Sequence, residues 1–322
     1  MSKKFLTYNQ QMKCLRDKNI NCNGSPAKTL LCRQGYFNLI NGYKTPFTCG
    51  KSQNGDNLYI NGTSIYHFSL LKNFDEELRY LLLKYLTKAE EEIRTFVSYK
   101  FDYINNHGEL QWYDISAYDI TQDTSNLIGV IAKIYNEINQ SHQDYVKFYL
   151  EKHKIIPTWI AVKTINFSTF INFLDCSKEE IKKSICELYG LVDSNNKPDY
   201  KLIIGSLHWM RLIRNICAHN ERVYCVEQKN SRINETKIKD LGSRYSGHRT
   251  RKLFDLLVYL TYYLDKNDYA VLVSKLKDLL NELKSNITKP AFDNVRGAIG
   301  IKQIDDLDRL LSYCKEKSYN NF

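Results

Sequence analysis

Between Asp75 and Tyr103 the residues Leu78, Leu81, Leu82, Tyr85, Leu86, Ala89, Ile93, Phe96 and Val97 recur at short, mostly three- and four-residue steps. That period predicts one long helix with a wide buried face. Only five prolines interrupt the 322 residues. Shorter stretches of the same period predict further helices near 125–139, 141–153, 168–175, 177–189, 198–220, 250–265, 268–285 and 302–316. Residues 7–35 read as short helices, and 42–62, with Gly, Asn and Pro clustered, as turns with a small hairpin. The expected fold class is all-α. Its expected division is a small, mostly helical N-terminal subdomain over 1–72, a helical core over 73–286 and a helical tail over 287–322. The first piece is too small to hold much of a core alone and must pack on the rest.

Lys and Arg exceed Asp and Glu by 46 to 36, a formal net charge of +10 spread along the chain. An anionic partner fits this balance, nucleic acid first among them, although Lys-rich proteins reach the same balance without one. The nine cysteines lie far apart with no C-x-x-C pair, so neither a zinc site nor any other metal or cofactor is expected. Met1-Ser-Lys-Lys does not open a signal peptide, and no apolar run has membrane-spanning length. The expectation is a cytoplasmic protein with reduced thiols and no membrane partner. Gln228 to His248 is basic and polar and reads as a long exposed connection.

The most informative segment is Lys201 to Arg222. On a helix at about 100° per residue it separates into two stripes. Ile203, Met210, Ile213 and Cys217 form a core-facing line, whereas His208, Arg211, Asn215, His219 and Arg222 follow one another at steps of three or four. A solvated face ordinarily alternates Lys with Glu, and this row contains neither. Arg214 lies beside it, with a side chain long enough to swing toward His219. The pattern suits an anion site.

Cleavage of RNA by its own 2′-hydroxyl needs a base for the hydroxyl proton, an acid for the leaving 5′-oxygen and donors for charge on the phosphorane. Histidine, with an unperturbed pKa of about 6.5, serves either proton role, and arginine offers a permanent forked donor set. Asn215, one turn before His219, would orient the imidazole or bond the phosphate. One helix carries one such His, so a homodimer pairing two copies of it is expected to complete the site.

Arg214-Asn-Ile-Cys-Ala-His219 resembles the R-x-x-x-x-H signature of HEPN ribonucleases, in the variant with Asn directly after Arg. Other segments resemble, in order, the bacterial abortive-infection proteins of the AbiD/AbiF type. These are Gly42-Tyr-Lys-Thr-Pro-Phe47 (G-Y-x-x-P-F), Gly62 to Arg79 ending in Phe74-Asp-Glu-Glu-Leu-Arg79 (F-D-x-x-L-R), Glu90-Glu-Glu-Ile-Arg94 (E-x-x-x-R) and Pro157-Thr-Trp159 (P-x-W). With Arg214 to Arg222 as R-N-x-x-A-H-x-x-R, they cover about residues 7–265. Lys163 departs from the family, standing where an acid is usual after P-x-W, and the last 35 residues show little of its pattern.

The resemblance implies an all-helical HEPN core, a role in phage defence and metal-independent RNA cleavage, with a structured noncoding RNA as a further partner. Arg214, Asn215 and His219 are then the catalytic candidates. Arg211 and Arg222 would position RNA, and Glu90 with Arg94 would either pair as a surface bridge or hold the catalytic side chains in the cleft. His208 reads as structural, and the Trp and Tyr side chains mostly as core or surface, a few able to stack on bases. Two rivals stay open: an RNA-binding module without catalysis, and a helper of a nucleotidyltransferase.

Overall fold

Serine 64 starts the helix that organises the molecule. Its hydroxyl accepts the N–H of Tyr66 at 3.3 Å, and its own N–H donates to Nδ1 of His67, a reciprocal cap that satisfies two donors a helix start leaves open. The helix, α3, then runs from Ile65 to Ile104, about 60 Å. It begins ten residues before the expected Asp75, because the cap lies upstream of the periodic run. The division expected at 72/73 therefore falls inside it.

The computed structural model describes residues 5–121, 123–193, 195–228, 251–314 and 317; most of the basic connection expected over Gln228–His248 lies outside them. The fold is all-α with two small two-stranded sheets. Before α3 stand α1 (Tyr8–Arg16), α2 (Gly24–Gln34) and a hairpin of β1 (Thr48–Lys51) and β2 (Asn57–Tyr59). After it come α4 (Thr124–Asn139), α5 (Asp144–Phe148), α6 (Thr158–Thr164), α7 (Phe167–Cys176), α8 (Glu179–Tyr189) and α9 (Tyr200–Ala218). β3 (Glu227–Gln228) pairs with β4 (Arg251–Lys252), which leads into α10 (Leu253–Tyr263), α11 (Lys266–Asn286), α12 (Lys289–Ile299) and α13 (Asp306–Leu310).

α3 is the axis of the bundle: α6, α8, α9 and α11 all pack along it. Its buried residues include Leu78, Leu82, Leu86, Ile93, Val97 and Phe101, most of them on the stripe the period predicts. Two helices lie outside the expected set. α6 is only seven residues long, too short for a period to show, and α12 opens at Lys289-Pro290, where proline suits the first turn. The expected helix over 302–316 is shorter, because the Asp306 carboxylate accepts the N–H of Gln303 and sets the start at Asp306. That expected over 141–153 begins at Asp144 and widens to a π turn over Tyr149–His153.

Candidate active site at the end of α9

α9 buries Ile203, Leu207, Met210, Ile213 and Cys217 against the bundle. Burial pushes the Cys217 thiol up to about 12, so it is a core thiol and not a nucleophile. The helix stops in a Schellman turn. His219 caps it, Asn220 takes the left-handed conformation at φ 58°, and the N–H groups of Asn220 and Glu221 return to the carbonyls of Cys217 and Ile216 at 3.2 and 3.0 Å. Asparagine tolerates that conformation better than most side chains. The turn leaves His219 exposed, its imidazole without a hydrogen bond among the described residues.

Arg214 faces α3. Its Nε lies 3.3 Å from Oε2 of Glu90, and its Nη1 donates to Oδ1 of Asn215 at 3.0 Å. Nη2 has no partner among the described residues. The other oxygen of Glu90 accepts from Arg94 Nε and Nη2 at 3.1 and 2.8 Å, so Glu90 bridges two guanidinium groups. Glu90 and Arg94 are thus no surface bridge; their side chains are 9% and 11% exposed, against 33% for Arg214. Burial lowers the Arg94 pKa from its ordinary value, and Glu90 opposes that. Arg94 also donates to the carbonyl of Val162 in α6 and stacks 4.8 Å from the Phe170 ring centre. A cavity of about 490 Å³ opens beside this junction, between α3 and α6.

The remaining expected residues are placed elsewhere. Arg222 donates to the carbonyl of Gly42 and lines a second cleft with Lys72, Glu76 and Asn220. Arg211 is half-buried with Nε unpartnered among the described residues, close enough to His208 to help burial lower that pKa. The row read on α9 is therefore not gathered at one place: Arg214, beside it, turns to Glu90 rather than to His219, and His219 stands in the open.

Spacing and charge along α9 did not reveal a second junction. Asp75, fully buried, takes Arg79 Nη1 at 2.7 Å, the Tyr43 hydroxyl at 3.0 Å, and the N–H groups of Val223 and Tyr224 at 3.1 and 2.8 Å. Arg79 reaches on to the carbonyl of Glu221 at 3.4 Å. Burial raises the Asp75 pKa, and these donors oppose it. The network fastens the chain just after His219 to α3. Its signals in sequence are the G-Y-x-x-P-F and F-D-x-x-L-R resemblances, which place Tyr43, Asp75 and Arg79 in separate motifs without saying that they meet.

A family model described as Abi-like protein matches residues 29–225, well over half of the chain. The chain belongs to that family. No curated protein and no solved structure matches it. The matched stretch of this Abi-like protein contains both junctions on α3 and all of α9. Most of the separated motifs meet at one of them: Tyr43, Asp75, Arg79 and the chain after His219 at the first, and Glu90, Arg94 and Arg214 at the second, where the carbonyl of Val162, three residues beyond Pro157-Thr-Trp159, joins them. Among the described residues no helix is long and apolar enough to cross a membrane.

Proposed function

We propose that this Abi-like protein is a HEPN-type endoribonuclease acting in phage defence by abortive infection. One observation carries the reading: within two turns at the end of α9, a guanidinium held on a buried carboxylate keeps an edge free of partners among the described residues, and an imidazole likewise without one follows it into solvent. Arg214 binds the scissile phosphate and stabilises charge on the phosphorane. His219 moves a proton, taking it from the 2′-hydroxyl or giving it to the leaving 5′-oxygen. Asn215, whose side-chain oxygen accepts from Arg214, holds that guanidinium's direction rather than the imidazole's.

The 2′-oxygen attacks phosphorus and the bond to the 5′-oxygen breaks, giving a 2′,3′-cyclic phosphate and a 5′-hydroxyl. A second copy of the chain brings the second imidazole, which makes the active form a homodimer. A structured noncoding RNA is the proposed regulator, and nucleic acid of one defined size should copurify with the protein.

The test is purified protein on single-stranded RNA with the product ends identified. Wild type yields cyclic-phosphate ends, His219→Ala and Arg214→Ala lose about 100-fold or more in rate, and 2′-deoxy substrate is not cut. RNA that is bound but cut equally by all three proteins, or by none, would leave an RNA-binding module without this catalysis.

A further inference from the structure

The cavity between α3 and α6 has a feature that phosphate binding at Arg214 does not require. Trp159 stands at its wall with 51% of its surface exposed, while the other two tryptophans, Trp112 and Trp209, are 2% and 1% exposed. Its neighbours on α6, Thr158, Ile160, Ala161 and Val162, are all buried, so the helix spends its inward face on the core and turns this ring to the opening. The volume of about 490 Å³ is that of a small-molecule cleft.

We infer that this cavity receives one unpaired nucleobase of the RNA, stacked on Trp159, while the adjoining phosphate rests on Arg214. The inference rests on the proposed RNA reading and names where the substrate sits. The same cavity wall carries Arg214 and Lys163, so the cations a nucleotide's phosphates need lie beside the ring its base needs. Glu91 and Thr95, also in the wall, offer polar atoms to a base edge. The platform is pre-set: Arg94 ties the Val162 carbonyl to Glu90, and Glu90 in turn holds Arg214, so ring and guanidinium share one rigid support. Stacking tolerates any base, because each has a π face, so the site selects single strands and not a sequence.

The experiment is binding of the full chain to a short labelled 2′-O-methyl oligoribonucleotide, which has no free 2′-hydroxyl to attack, read by fluorescence anisotropy. Trp159→Ala should weaken binding by about tenfold or more, and Trp159→Phe, which keeps an aromatic face, by no more than about threefold. An oligomer abasic at every position should erase the difference between wild type and Trp159→Ala, since no base is left to stack. Because the other tryptophans are buried, saturation should also quench indole emission in wild type with the same midpoint as the anisotropy. Equal affinity of wild type and Trp159→Ala, with Arg214→Ala impaired, would overturn the subsite and leave the RNA reading standing. No binding by wild type would overturn both. Loss of self-association in Trp159→Ala at unchanged RNA affinity would assign the ring to a contact between two copies, and the subsite would fall.

Discussion

Two acid–arginine pairs on α3, Asp75 with Arg79 and Glu90 with Arg94, share one spacing and lie about 22 Å apart along the axis, yet they do different work. Asp75 is sealed: its own side chain is fully buried, and its partners are a tyrosine hydroxyl, two backbone N–H groups and Arg79, which borders the second cleft with only 5% of its side chain exposed. Glu90 is equally well bonded, but one of its two arginines, Arg214, is a third exposed and faces a cavity. A satisfied, closed network holds the chain in place. One left open on a single side presents a charge while fixing where it points.

Removing Asp75 should cost most. Asp75→Ala strands Arg79 and two N–H groups in the interior, and about 3–5 kcal/mol of stability should be lost in chemical denaturation. A loss below about 1 kcal/mol would show that the clamp is not one. Glu90→Gln keeps an acceptor but removes the charge between two guanidinium groups. A smaller loss of about 1.5–3 kcal/mol is expected, together with a fall in RNA cleavage at nearly unchanged RNA affinity, since Arg214 keeps its charge and loses its direction. Affinity falling in step with rate would make Glu90 a general support and blur the contrast. His219→Ala should leave stability within about 0.5 kcal/mol, as an exposed ring without a hydrogen bond among the described residues predicts, while cleavage is lost.

A pH effect is expected from a third buried carboxylate, one without an arginine four residues on. Burial pushes Asp255 up to about 7, against the N–H of Lys252 and the charges of Arg251 and Lys252. An acid whose pKa is higher folded than unfolded gains a proton on folding. Its contribution is therefore full below the unfolded value of 3.8 and is lost as pH rises through about 7. Asp255→Asn keeps the acceptor for Lys252 N–H and should flatten that part of the stability profile, measured by thermal melts from pH 4 to 8. An unchanged slope would place the proton elsewhere.

Much of the architecture could be read from the chain because helical period is local. The stripe through Leu78, Leu82 and Leu86 shows burial without reference to any partner, and so did the core line of α9. The junctions could not be read that way. Asp75 takes its meaning from Tyr43, 32 residues before it, and from Val223, 148 after it. By spacing alone it does not differ from an ordinary helix-surface pair with Arg79, and the F-D-x-x-L-R motif marks the segment without naming those partners. Arg214 was marked as a candidate by type and position, but its turn toward Glu90 depends on where α3 lies. Trp159 belongs to the Pro157-Thr-Trp159 motif, but a motif does not say which way its ring points; only the direction of α6 leaves it at an opening.

The most direct measurement is the sequencing of RNA ends in bacteria expressing the wild-type chain, Arg214→Ala or His219→Ala. New 5′-hydroxyl ends and growth arrest in wild type, absent from both variants at equal protein level, are the expected result. Arrest with the same new ends in all three would show that neither side chain at the end of α9 does the cutting.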